Sequence, residues 1–200
     1  MTEFLRIFLP IYGVLFFFAL FYLRTFIVWK RTGVNAYVLL NKQGVYGIIG
    51  RYFKLMPILS VITIALYAFF PRYYNLTGQL TWLEHPSIAA IGCVLLISSL
   101  IWTWIAQMQM GNSWRIGIDQ DSSTALVTSG VFSYSRNPIF LGIRIAHLGF
   151  LLSLPNALTL TVLLLGSAMI EAQVALEEEY LEKSHGEAYQ HYKTSVRRWI

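Results

Sequence analysis

Five long apolar stretches decide what this chain can fold into. They cover residues 4–29, 52–70, 86–110, 138–154 and 156–175. A membrane-spanning helix needs about 20 mostly apolar residues, and a lipid interior leaves the backbone no partners except its own. Charged residues make up only 12% of the 200-residue chain and hydrophobic residues 56%, whereas soluble domains are about one quarter charged. An integral membrane protein follows. The last two stretches are short and are separated by Ser153-Leu154-Pro155-Asn156. Proline and asparagine there signal a tight turn and so a helical hairpin. The expected fold is all-α: one polytopic membrane domain over residues 1–200 with about five transmembrane helices and a cytoplasmic helical tail. Residues 1–110 hold three N-terminal spans, and residues 111–200 carry the hairpin, the tail and the candidate chemistry. Residues 30–50 include Tyr37-Val38-Leu39-Leu40 and have the character of an interfacial helix. Pro10 is a candidate kink in the first helix.

Lysine and arginine set the expected orientation. The loop after the first stretch carries Lys30, Arg31, Lys42, Arg51 and Lys54, while residues 71–85 hold Arg72 against Glu84. Arg115 and Arg136 precede the hairpin, and Lys183, Lys193, Arg197 and Arg198 follow it. The N-terminus is expected outside, and the C-terminus and functional residues on the cytoplasmic side.

Several classes of function fit poorly. The single cysteine, Cys93, allows neither an internal disulfide nor a cysteine metal site. The net charge of +5 borders apolar segments instead of forming a basic stripe with interleaved aromatics, so no nucleic-acid partner is expected. The long first stretch, with Glu3 before it and no small-residue cleavage site after it, does not read as a signal peptide. Gly44, Gly47 and Gly50 lack dinucleotide-loop spacing, and His185 and His191 lack zinc-pair spacing, so no metal is expected.

The chemistry concentrates in the C-terminal half. Arg136-Asn137-Pro138 stands where a loop enters an apolar helix. Proline suits the first helical turn, whose free N–H groups favour an anion. Arg136 adds a planar fork suited to a carboxylate. After the last apolar stretch, and so expected to follow the fifth helix, come Glu177, Glu178 and Glu179. Successive helical residues turn by about 100°, so Glu179 pairs with Lys183 outside while Glu177 or Glu178 faces inward. Arg144 and His147 share one face of the fourth helix. An ionisable residue at such depth is a functional candidate, and Arg144 is expected to orient an acidic or carbonyl-bearing partner.

From Gly111 to the C-terminus the chain resembles the isoprenylcysteine carboxyl methyltransferase and phospholipid N-methyltransferase families of membrane methyltransferases. The resemblance rests on Gly111-Asn112-Ser113-Trp114, Leu126-Val127, Gly130-Val131-Phe132 and Arg136-Asn137-Pro138-Ile139-Phe140-Leu141-Gly142. It continues in Glu177-Glu178, Leu181, Gly186, Tyr189, Tyr192 and Val196-Arg197-Arg198-Trp199-Ile200. It implies S-adenosylmethionine as methyl donor and a lipid-like methyl acceptor entering from the bilayer. It implies cofactor contacts from Leu126, Val127, Gly130, Phe132, Arg136, Asn137, Pro138, Phe140, Glu177, Glu178 and Tyr189, with Asn112, Arg144 and Arg198 as catalytic candidates. Phe132 and Phe140 stand where these families often have tyrosine, Asn137 where histidine is frequent, and Arg197 where proline is usual. Two other readings stay open: an NADPH-dependent sterol-type reductase, which the doubled glutamate opposes, and a non-enzymatic membrane protein.

Overall fold

The computed structural model describes residues 1–33, 45–115 and 125–200, the side chains of residues 45–48 and 51–52 excepted. The interfacial stretch around Tyr37 lies outside the described residues. Among the described residues all regular structure is helical, apart from one isolated bridge between Gln79 and Asn156. The main helices are α1 (Thr2–Thr32), α2 (Val45–Phe69), α3 (Pro86–Met110), α4 (Pro138–Ser153), α5 (Ala157–His185) and α6 (Glu187–Ser195). The first five coincide with the five apolar stretches. α1, α3 with its following turn, and α5 are each long and apolar enough to cross a membrane. The apolar run of α2, Phe53–Phe69, and the 16-residue α4 are shorter. At 1.5 Å per residue α4 reaches about 24 Å, less than the roughly 30 Å hydrocarbon layer.

α2 starts at Val45, ahead of the apolar stretch at 52–70, and two further features differ from expectation. α5 runs to His185, ten residues beyond the apolar stretch, so the three glutamates sit on the helix and not after it. Leu, Glu and Lys sustain the helix, and it stops at Gly186, whose φ of 50° places it in the left-handed region. In α1 residues Phe18–Leu23 form a π-helical turn. Such a turn disturbs the backbone ladder, and here the Leu20 carbonyl accepts a bond from Gln107 Nε2 at 3.1 Å. Arg24 returns the contact, donating to the Gln107 and Gly111 carbonyls at 2.7 and 3.1 Å and so capping the end of α3.

Small residues bring α3 and α4 close together. A Cβ built on Gly92 would lie 2.7 Å from the Gly149 carbonyl, and one on Gly149 would lie 2.9 Å from the Gly92 carbonyl. Close backbone approach of this kind is how helices associate where hydrocarbon surrounds them. The hairpin between α4 and α5 turns at Asn156. Its side chain accepts from the Leu158 and Thr159 N–H groups at 2.9 and 3.1 Å, and Thr159 Oγ1 accepts from the Asn156 N–H, closing a capping box. Asn156 Nδ2 also donates to the Tyr74 hydroxyl at 3.2 Å, docking the hairpin tip on the segment between α2 and α3. That tip marks one end of the bundle. The start of α4 marks the other, and Trp102 of α3 fixes it by donating to the Pro138 carbonyl at 2.8 Å.

Candidate functional site

Glu178 is 4% exposed and sits at the end of the bundle where α4 begins. A buried carboxylate needs partners for its charge and lone pairs, and this one has them on both oxygens. Oε1 accepts from Arg136 Nε and Nη2 at 3.3 and 3.0 Å and from Asn137 Nδ2 at 3.2 Å. Oε2 accepts from Arg198 Nε and Nη2 at 3.1 and 2.6 Å. The remaining donors of Arg136 go to the carbonyls of Lys193 and Val196. Its backbone N–H donates to the Arg197 carbonyl at 3.0 Å, and Ser135 Oγ donates to that of Arg198 at 3.2 Å. These bonds form a clasp that draws residues 196–200 across the start of α4. Pairing with Glu178 pushes the Arg198 guanidinium above its ordinary range.

The carboxylate that meets Arg136 is therefore the protein's own, which differs from the expectation of a ligand anion there. Tyr189 is buried beside this cluster without a well-formed hydrogen bond on its hydroxyl. Burial, then the Glu178 charge, pushes its pKa up to about 12. Burial does the same to Tyr192, also to about 12, while its hydroxyl donates to the Phe132 carbonyl at 2.6 Å.

Glu177 turns away from the clasp. It lines a cavity of about 290 Å³ that runs between α1, α2, α3, α4 and α5. The walls are mainly apolar, with Phe16, Phe53, Ile139, Phe140, Phe150 and Met169 among them. Glu177 accepts from Gln173 Nε2 at 2.7 Å, one turn back on α5. Lys54 and Arg115 join them on the lining. Gln107, Thr103, His147 and Tyr12 also line it. Among the described residues, Gln107 Oε1, Thr103 Oγ1 and His147 Nδ1 are buried with no hydrogen-bond partner.

The structure brings Arg136, Asn137, Glu178, Arg198 and Tyr189 together in and around the clasp, and Phe140 and Glu177 onto the cavity. Pro138 starts α4 between the two. The loop residues Leu126 and Val127 lead into a 3-10 turn, Gly130–Ser133. Gly130 has a φ of 65° and presses on Gln109, and the Val131 N–H donates to Gln109 Oε1 at 2.8 Å, so the turn docks on the end of α3. Phe132 is buried. Asn112 is exposed in the turn after α3, where its carbonyl accepts from Arg115.

Arg144, expected to orient an acidic or carbonyl-bearing partner, is not among the cavity-lining residues. Its guanidinium pairs with Glu171 at 2.6 Å, donates to the Ser167 carbonyl, and lies 4.1 Å from the centre of the Trp199 ring. Its charge is compensated on the flank of α5 and needs no cavity. Of the two ionisable residues on this helix, His147 is the one that lines the cavity. The sequence reading missed Gln107, Thr103 and Gln173. Their signal is polar side chains four residues apart inside apolar helices, Thr103 with Gln107 and Gln173 with Glu177.

A relative from Saccharomyces cerevisiae, a protein-S-isoprenylcysteine O-methyltransferase, is 30% identical over 109 residues, covering 53% of this chain and 46% of that protein. The match thus spans about half the length of the yeast relative. An uncharacterised protein of Haemophilus influenzae is 36% identical over 63 residues, 31% of this chain and 100% of that protein. No solved structure matches. The family model for phospholipid methyltransferases matches residues 87–188, from the first turn of α3 into α6. That is just over half the chain and includes the clasp residues Arg136, Asn137 and Glu178 and the cavity-lining residues Phe140 and Glu177; the chain belongs to the phospholipid methyltransferase family.

Proposed function

We propose that the chain is a membrane methyltransferase that uses S-adenosylmethionine to methylate a lipid-borne acceptor. The observation that carries the proposal is the apolar cavity with a carboxylate, Glu177, on its lining at the end where α4 begins. The residues present fit the cofactor. Glu177 has one oxygen bonded to Gln173 and lone pairs to spare for a cationic or hydroxyl-bearing ligand. Lys54 and Arg115 lie on the same lining and suit a carboxylate. Phe53 and Phe140, with ring centres 6.2 Å apart, offer an aromatic wall for a flat base.

S-adenosylmethionine supplies a methyl group on a sulfonium, whose positive charge disappears on transfer. Apolar walls favour such a loss of charge and keep water from competing with the acceptor. The role of this chain is then to hold two reactants in line and dry. The clasp closes residues 196–200 over the start of α4 and fixes the wall that carries Phe140. The acceptor is a lipid whose apolar body fits among the helices: a prenylcysteine-like carboxylate, or another lipid oxygen or nitrogen. The distribution of lysine and arginine supports a reaction on the cytoplasmic side, with the N-terminus outside.

The test is calorimetric binding of S-adenosylmethionine, S-adenosylhomocysteine and NADPH to the detergent-purified chain, followed by transfer of labelled methyl into membrane lipid extract. Binding of the first two with label in the lipid fraction is expected. Binding of NADPH alone would convert the reading to a reductase, and binding of none of the three would end the enzymatic reading.

A further inference from the structure

We propose that the cavity measures the apolar chain of its acceptor, and that Tyr12 of α1 and Phe150 of α4 form the floor that fixes the longest chain it takes. The inference rests on the reading of this cavity as the acceptor site. Its charged end lies toward the start of α4. Glu177 precedes Glu178, which is bonded to Asn137 there, and Lys54 follows Phe53, whose ring centre is 6.2 Å from that of Phe140. From that end the lining runs down α4 from Phe140 to Phe150 and down α5 from Glu177 to Gly166. Ten and eleven helical residues at 1.5 Å each make both walls about 15–16 Å deep. Ile64, Leu96, Ala146 and Met169 keep the lower part apolar.

The lower end is closed along the bundle. One turn beyond Tyr12 stands Leu9, fully buried, and one turn beyond Phe150 stands Leu154, also buried. Neither lines the cavity, and both belong to the same packed cluster as Cys93 and Tyr74. The sides are closed at this level too. The Tyr12 and Ser99 hydroxyls, 3.3 Å apart, tie α1 to α3. A Cβ on Gly13 would meet Ile64 of α2 at 3.4 Å. Gly92 and Gly149 bring α3 onto α4, the His147 ring fills the notch at Gly166 between α4 and α5, and α2 packs on α5. An entering chain gains affinity with each apolar unit it buries until its tip meets the floor. A longer one must push side chains out of a packed core, and overpacking is unfavourable. An isoprene unit adds four bonds of about 1.5 Å in zigzag, about 5 Å along the chain, so three units fill the depth and a fourth exceeds it. The ligand class is a lipid with one apolar chain of that length below its methyl-accepting group. Tyr12 lies outside the residues matched by the family model, so the N-terminal half of this chain supplies part of the limit.

The experiment measures dissociation constants for N-acetyl-S-geranylcysteine, N-acetyl-S-farnesylcysteine and N-acetyl-S-geranylgeranylcysteine, which carry two, three and four isoprene units. The chain is purified in detergent, and S-adenosylhomocysteine is present throughout. In the wild type the farnesyl probe should bind about tenfold more tightly than the geranyl probe, from the added apolar burial. The geranylgeranyl probe should bind about tenfold more weakly than the farnesyl probe, from overpacking. Tyr12→Ala and Phe150→Ala each remove part of the floor and should bring the geranylgeranyl probe within about threefold of the farnesyl probe. Ala146→Leu, one turn above Phe150, should weaken the farnesyl probe about tenfold and leave the geranyl probe within about twofold.

A wild type that binds the geranylgeranyl probe as tightly as the farnesyl probe has no floor, and that result needs no variant to fold. Variants that change all three probes equally, or binding of none of the three to the wild type, would also overturn the proposal. Absence of methyl transfer to probes that bind in the expected order would count against the proposed function and leave the floor standing. Labelled methyl passing into membrane lipid with no length preference among the probes would do the reverse.

Discussion

Glu177 and Glu178 adjoin in sequence and belong to regions with opposite properties. Glu178 anchors the clasp, where both carboxylate oxygens and every nitrogen of Arg136 have partners. Glu177 faces the cavity, where a carboxylate, a glutamine, a threonine and a histidine sit among apolar walls and several polar atoms are unpaired. A saturated polar network fixes geometry, because every member is already committed. An unsaturated one is prepared for something that arrives later. The comparison teaches that Glu178 is committed within the protein, whereas Glu177 keeps lone pairs that the proposed function assigns to a ligand.

The largest expected effect comes from Glu178→Gln. It leaves Arg136, whose side chain is 9% exposed, without its counter-charge. Removing one partner of a buried pair costs about 3–5 kcal/mol. The expected result is a sharp drop in the thermal unfolding midpoint in detergent, with residues 196–200 becoming accessible to protease. An unchanged midpoint would show that the clasp is not structural.

Glu177→Gln should behave in the reverse way. Stability should stay within about 1 kcal/mol, because the side-chain volume and a hydrogen bond to Gln173 are retained. Affinity for S-adenosylhomocysteine should fall by the equivalent of about 1–3 kcal/mol, as for a lost buried hydrogen bond to a charged group. Calorimetry on both glutamine variants separates the two roles. Equal loss of stability in both would erase the distinction between the regions.

A smaller effect concerns pH. Tyr189 and Tyr192 keep their protons to about pH 12 in the folded chain, where burial disfavours the phenolate, and ionise near 10 when unfolded. The unfolded chain therefore loses protons first. The stability from these groups is complete below about pH 10 and is lost as pH rises toward 12. Tyr189→Phe should flatten that loss at little cost near pH 7, since its hydroxyl has no well-formed bond. Tyr192→Phe should flatten it too, but at a cost of about 1 kcal/mol for the bond to Phe132. Midpoints measured from pH 8 to 11 decide this, and an unchanged slope in Tyr189→Phe would refute it.

The smallest effect should be that of Arg144→Leu. Its partner Glu171 is 46% exposed at the side chain, and half-exposed pairs contribute about 1 kcal/mol or less. Methyl transfer should persist at near wild-type rate. Loss of turnover with intact S-adenosylhomocysteine binding would return Arg144 to the acceptor site and undo the separation of clasp from cavity.

Much of the fold was legible in the sequence. Apolar length located the first five helices, α1 to α5, and Pro155-Asn156 located the hairpin turn, because lipid forces the backbone to satisfy itself and turns need particular residues. The end of α5 was not legible from hydropathy, since a helix can leave the apolar layer and continue through Leu, Glu and Lys until a glycine stops it. The ordered motif from Gly111 onward was enough to indicate the family. The pairing of Glu179 with Lys183, 2.5 Å apart, followed from their spacing.

Sequence by itself determined that this chain is a bundle of membrane helices, that the residues resembling a known family lie in its C-terminal half, and that Glu179 points outward to Lys183. Only the tertiary structure decided that Glu178 closes on Arg136 and Arg198, that Glu177 opens to the cavity, and that His147 instead of Arg144 lines it. The physical reason is that helical periodicity fixes the angle between side chains on one helix but not the rotation of that helix against its neighbours. That rotation follows from where glycines let backbones approach, at Gly92 and Gly149 between α3 and α4 and at Gly166 against His147.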